Sequence, residues 1–300
     1  MIELRNVSKY YSKLCALDKV SFTVEKGDII GFIGPNGAGK STAMNIITGC
    51  LSATSGDCFI NELSISKEPV KAKKLIGYLP EQPPLYNSFS VYEYLSCVYD
   101  IKQIKGNKKK HIQEIAELTG VTDMLGRNCN NLSKGYKQRT GIAYAMLGYP
   151  EYLILDEPTS GLDPKQKREM LDFIKRLSSR CGILLSSHIL SEIDDVCNKL
   201  VMIKKGQIVR TMDRMGISDT QKYLYRIAGE PRKVLSAIIS CEGVISASCE
   251  ENDIYTVVTS QEGIEKIFYT LAKEHLLILQ QQPYTVDVEK MFLDTIQKEK

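Results

Sequence analysis

The chain has 300 residues, 43% hydrophobic and 25% charged, enough for one large and one small domain of ordinary globular composition. A formal net charge of +3 is too small to suggest a nucleic-acid binder, and the longest basic run, Lys108-Lys109-Lys110, reads as a solvated turn. Nine cysteines, an odd number without a C-x-x-C pair, support neither a zinc site nor a redox motif; they favour a reducing compartment, the cytosol. The N-terminus lacks the apolar core of a signal peptide, and no run of about 18 apolar residues occurs. No membrane-spanning helix is therefore expected, and any membrane role comes through a partner.

In chain order, residues 2–4 and 20–24 predict two short strands, with Tyr10-Tyr11-Ser12-Lys13 in the loop between them. A buried strand at 29–33 enters a glycine-rich loop, and a helix over 40–48 leaves it, closed by Gly49 as its C-cap glycine. Residues 86–131 change character, with helical stretches at 91–100 and 111–119; they read as a helical insertion between two parts of one sheet. A helix over 134–147 follows, then a strand at 152–156, a helix over 164–180 and a strand at 183–187. That alternation predicts a mostly parallel sheet with helices on its faces. Residues 211–220 read as a linker. Beyond them come a strand (223–227), a helix (231–239), strands (244–249 and 254–259), a helix (263–275), a strand (276–280) and a short helix (288–297). This βαββαβ-like order predicts a small α+β domain.

The run Gly34-Pro35-Asn36-Gly37-Ala38-Gly39-Lys40-Ser41 fits G-x-x-x-x-G-K-[ST] between a strand and a helix. Glycines let backbone amides converge on phosphate oxygens, which side chains would obstruct. The helix N-terminus adds positive potential, Lys40 reaches the β- and γ-phosphates, and Ser41 offers a hydroxyl to Mg²⁺. The chain is thus expected to bind ATP and hydrolyse it. Asp156 and Glu157 follow a buried strand, where carboxylates face the ligand crevice of a parallel sheet. Asp156 suits Mg²⁺, directly or through water, and Glu157 suits activation of the attacking water. His188 follows another buried strand; it either contacts the γ-phosphate or water, or simply ends the strand. Ser133 and Asp163 are natural helix N-caps, and the Ser133–Gly135 helix start is also a ready anion site. One chain's phosphate already has its loop, so a second anion site implies a second nucleotide.

Together these stretches resemble the ATPase subunit of ABC transporters: the phosphate loop, LSKGY at 132–136, ILDEPTSGLDP at 154–164 and SSH at 186–188 stand in that family's order. The resemblance covers about residues 1–215. It implies an α/β fold of the P-loop NTPase, ABC type: a mixed sheet core, an N-terminal antiparallel β part and a helical subdomain at about 86–147. Residues 216–300 would add the small α+β extension. It also implies head-to-tail dimers that sandwich two ATPs. Tyr11 then matches the adenine-stacking aromatic, beside Tyr10. Gly34, Asn36, Gly37, Ala38, Gly39, Lys40, Ser41 and Thr42 match the ATP-binding set, and Ser41 and Asp156 the Mg²⁺ side. Glu157 matches the catalytic glutamate, His188 the switch histidine and Asp163 the aspartate that crosses the dimer. Ser133 and Gly135 match the residues that contact the other subunit's γ-phosphate.

Two departures stand out. The signature reads LSKGY rather than LSGGQ, and Glu81, followed by Gln82, stands where a metal-contacting glutamine usually does, so either Glu81 or Gln82 would face the Mg²⁺. Both are similar to ATPases of exporters with a separate membrane chain, of the drug, lantibiotic, sodium and gliding-motility kinds; so is VEKMFL at 288–293. The resemblance implies a cytoplasmic protein, peripheral on the membrane's inner face, partnered by a transmembrane permease and a second ATPase subunit, without nucleic acid. A ribosome- or DNA-acting ABC protein would usually carry two cassettes or a long coiled coil, and this chain has neither. A guanine-specific switch would use N-K-x-D; Asn198-Lys199-Leu200-Val201 lacks the aspartate.

Overall fold

The N-terminal strands are long rather than short: β1 spans Ile2–Tyr11 and β2 Leu14–Val24, paired antiparallel across a turn at Ser12 with φ 53°. Tyr10 and Tyr11 therefore belong to a strand, not to the loop expected from the sequence. Bulges between Leu4 and Tyr10, with φ 48° at both Asn6 and Lys19, break the apolar alternation that would have marked the full length. The structure is a computed structural model and describes residues 1–193, 196–213, 220–249 and 253–283. Two units emerge, Met1–Arg214 and Met215–Lys300.

In the first unit β3 (Ile29–Ile33) runs into α1 (Lys40–Ile47). Strands β4 (Ser55–Ile60) and β5 (Leu63–Ser64) complete an antiparallel sheet of order β2-β1-β4-β5. After α2 (Pro69–Lys73), strand β6 (Ile76–Leu79) enters the main sheet. Helices α3 (Val91–Ile101), α4 (Lys108–Thr119) and α5 (Lys134–Met146) form the insertion before β7 (Tyr152–Leu155). Then follow α6 (Pro164–Leu177), β8 (Gly182–Ser187), α7 (Leu190–Ile193), β9 (Lys199–Lys204) and β10 (Gln207–Asp213). The main sheet has order β10-β9-β3-β8-β7-β6, parallel except for β10. β10 takes up residues 211–213 of the expected linker, and residues 214–219 lie outside the described residues.

Every residue of β3, β7 and β8 is buried, which is why they read as unbroken apolar runs. Phe22 and Phe32 stack at 5.3 Å, joining the antiparallel sheet to the main one. Each insertion helix starts on a capping side chain: Ser90 in a reciprocal box with Glu93, Asn107, and Ser133. Lys102, just past α3, points its Nζ at the last carbonyls of α5, 3.0 Å from Leu147 O and 3.3 Å from Tyr144 O. Burial pushes this ammonium down to about 8.

The second unit runs β11 (Thr220–Ala228), α8 (Pro231–Ile239), β12 (Val244–Cys249), β13 (Ile254–Ser260), α9 (Gln261–Lys273) and β14 (Leu277–Pro283). Its antiparallel sheet, order β12-β13-β11-β14, packs Tyr225, Tyr255 and Val257 against Val234 and Ile238 of α8 and Leu271 of α9. The helix expected over 288–297, with its VEKMFL segment, lies outside the described residues.

Candidate nucleotide site

The adjacency of β3, β8 and β7 brings the loops at their carboxyl ends together. Ile33 pairs with Ser187 and Leu155 with Leu185, so the segments beginning at Gly34, Asp156 and His188 emerge side by side. Between them and the β1–β2 turn lies a cleft of about 540 Å³. Of the residues expected from sequence, Tyr11, Asn36, Gly37, Gly39, Lys40, Ser41, Thr42, Glu81, Glu157 and His188 line it.

The glycines of the loop serve different needs. A β-carbon on Gly34 would sit 2.3 Å from the Ile203 carbonyl oxygen, so the backbone there has no room for one. Gly37 has φ 78° and open space around its missing side chain, leaving the loop's concave face clear for a ligand. Gly34 instead offers its carbonyl to Lys40 Nζ at 2.7 Å, with Pro35 O at 3.4 Å. The Ala38 side chain is buried below the loop and its amide donates to Pro35 O at 3.1 Å.

Lys40 also stands 3.6 Å from Glu157 Oε1, and both side chains are largely buried. The other Glu157 oxygen, Oε2, lies 2.9 Å from His188 Nδ1, so its carboxylate is held between an ammonium and an imidazole. Asp156 is buried beneath the cleft and accepts a hydrogen bond from Ser186 Oγ at 2.6 Å. Glu81 lines both the cleft and a neighbouring hollow of about 580 Å³, whereas Gln82 lines that hollow but not the cleft, with Lys134, Lys137 and Gln138. Ser133 and Gly135 do not line the cleft. Ser133 Oγ accepts from Tyr136 N at 3.4 Å, and Asp163 Oδ1 from Gln166 N at 2.8 Å, each as a helix cap. Leu14, Cys15, Ala16 and Ser160 also line the cleft; only their nearness to Tyr11 and to the TSGLDP run hinted at that. The candidate guanine motif is employed structurally: Asn198 Oδ1 accepts from Ile29 N and Lys199 pairs with Asp28, both at 2.9 Å.

The ABC transporter family matches residues 17–160. An uncharacterized ABC transporter ATP-binding protein of Bacillus subtilis (strain 168), YhcH, is 32% identical over 98% of this chain and 95% of its own. The chain belongs to the ABC transporter ATPase family. As an ABC ATPase it is the ATP-binding subunit of a transporter and hydrolyses ATP. The linearmycin resistance ATP-binding protein LnrL of the same organism is 30% identical over 98% of this chain and 97% of its own. A solved ATP-binding subunit of an ABC transporter superposes with a TM-score of 0.64 at 28% identity, covering 71% of this chain and 90% of its own. Both relatives thus extend over the second unit as well as the cassette.

Among the described residues no cluster of three or more His, Cys, Asp or Glu side chains is arranged for a metal. A nucleotide-borne ion needs fewer protein ligands, because the phosphates supply oxygens themselves. The donor set here fits one: the Ser41 hydroxyl on the first turn of α1, a carboxylate from Glu81 in the cleft, and the buried Asp156 beneath it.

Proposed function

We propose that this ABC ATPase powers export through a separate membrane-embedded permease, two copies closing head to tail over two ATPs. The observation that carries the reading is the composition of the cleft. It gathers the phosphate loop, Glu157 and His188, yet Ser133 and Gly135 stand outside it. A helix start that suits a phosphate but is unused within its own chain calls for a second chain's nucleotide. Among the described residues no helix is long and apolar enough to cross a membrane. The relative named for linearmycin resistance, matched over 98% of this chain, supports export as the direction. The protein would then sit on the cytoplasmic face of the membrane.

In this mechanism Tyr11 stacks on the base and the amides of 36–39 cradle the phosphates, with Lys40 at the β- and γ-positions. Ser41, Asp156 and Glu81 are the residues that would hold Mg²⁺, whose charge offsets that of the phosphates. Glu157 takes the proton of the attacking water, and His188 keeps its carboxylate turned to the γ-position. Ser133 and Gly135 of the second copy close the site, and Asp163 lies in the loop between the copies. Turnover per subunit measured over a protein dilution series tests the shared site: it rises through the dimerisation range. A turnover independent of concentration, with the protein monomeric throughout, overturns it.

A further inference from the structure

We infer that Ser186 is the positioning residue that sets the geometry of Asp156 and Glu157. This rests on the reading of Glu157 as the base. Ser186 is 0% exposed, on β8, and its strand neighbour is the end of β7: Leu185 pairs with Leu155, so Ser186 stands beside Asp156. A hydroxyl buried in an apolar strand costs stability unless both its donor and its acceptor are used. Here both are spent on the candidate catalytic pair. Ser186 Oγ donates to Asp156 Oδ1 at 2.6 Å and accepts from the Glu157 amide at 2.8 Å.

The second bond matters because of the backbone it holds. Glu157 has φ 47°, a left-handed conformation that a glutamate adopts only when its surroundings impose it. From that conformation its carboxylate reaches Lys40 at 3.6 Å and His188 at 2.9 Å. The first bond engages one Asp156 oxygen and so restricts the rotation of its carboxylate. One hydroxyl therefore fixes the side chain of the metal-side residue and the main chain of the base. Ser187, next in sequence, does nothing of the kind: its hydroxyl accepts from Ile189 N and donates to Ile189 O, both at 3.0 Å, within its own loop.

The test is Ser186→Ala, with Ser186→Thr and Ser186→Val as a pair alike in shape but differing in the hydroxyl. A base misplaced by about 1 Å costs up to about a hundredfold in rate. Ser186→Ala and Ser186→Val are expected to lower kcat about 10- to 100-fold, with KM for ATP within about threefold. Ser186→Thr recovers most of kcat. Hydrogen exchange of the Glu157 amide in the nucleotide-free protein supplies a readout independent of turnover. It accelerates at least about tenfold in the Ala and Val variants, and stays protected in the Thr and Ser187→Ala variants. Equal kcat for the Thr and Val variants, or unchanged protection of the Glu157 amide in Ser186→Ala, overturns the inference. If Glu157→Gln turns out fully active, the base assignment fails instead, while the exchange result still reports on Ser186.

Discussion

Glu157→Gln is the perturbation that separates binding from chemistry in this cleft. The amide keeps the size and one acceptor oxygen of the side chain but no longer takes a proton from water. A general base is worth about 10²–10⁴ in rate, or roughly 3–5 kcal/mol of barrier, so kcat falls by at least about a hundredfold. Binding moves the other way. The Glu157 carboxylate lies 3.6 Å from the Lys40 ammonium, a Coulomb attraction of about 4–5 kcal/mol at an effective dielectric constant of 20. An incoming γ-phosphate competes for that ammonium. Most of the attraction is offset by solvation and by the contact with His188, leaving on the order of 1 kcal/mol that the substitution returns to ATP. The variant is expected to bind ATP about fivefold more tightly. Fluorescent-nucleotide titration gives the affinity, and phosphate release in single-turnover mode gives the chemical step. A variant that hydrolyses within tenfold of the wild type refutes the role of base; one that no longer binds ATP shows that Glu157 holds the nucleotide instead.

Tyr11 lines the cleft and Tyr10 does not. Base–aromatic stacking is worth about 1–3 kcal/mol, so Tyr11→Ala weakens ATP binding roughly 5- to 150-fold, while Tyr10→Ala leaves the dissociation constant within about twofold; equal losses in the two variants would contradict the assignment. Lys102, whose ammonium is pushed down to about 8, binds its proton less well folded than unfolded. Between pH 8 and about 10.4 the unfolded chain therefore carries more of that proton, and stability from this group rises with pH, by at most about 3 kcal/mol. Buried Cys58 and Cys181, pushed up to about 12 and about 11, act in the opposite direction above pH 9. The prediction is thus made on a difference. Wild-type stability minus that of Lys102→Met, from urea unfolding at pH 7.5 and 9.5, increases with pH, and a flat difference would show that the α5 carbonyls fully offset the burial.

What the sequence disclosed and what it hid follow from how locally each feature is determined. The phosphate loop lies in eight consecutive residues, and its role needs only the strand before and the helix after. The strands β3, β7 and β8 announce themselves because burial on both faces leaves no polar interruption until the functional end. In contrast, β4, β5 and β10 are partly exposed, and β10 carries a register shift between Ile208 and Arg210, so their apolar signal is diluted. The choice between Glu81 and Gln82 hung on the loop after β6, where both line one hollow and Glu81 alone of the two also reaches the cleft. Cys15 and Ala16 became cleft walls only through the pairing of β1 with β2. Ser186 was the least legible: its partners lie 30 and 29 residues away, brought alongside by strand order alone.

This division of labour within the cleft has a consequence for how variants sort. In the proposed mechanism the phosphates are met by loop backbone and by Lys40, which is itself anchored to the carbonyls of Gly34 and Pro35. Those contacts rest on β3 and α1, with Gly206 N, in the turn between β9 and β10, donating to the Ala38 carbonyl at 3.0 Å. Glu157 and Asp156 are instead held from β8, through Ser186 and His188. Changes on the β1–β3–α1 side therefore act first on affinity, and changes on the β7–β8 side act first on turnover, with Glu157 touching both through Lys40. A substitution at Ser186 that altered ATP affinity and left kcat intact would break that partition, because the Ser186 hydroxyl is spent on Asp156 and on the Glu157 amide.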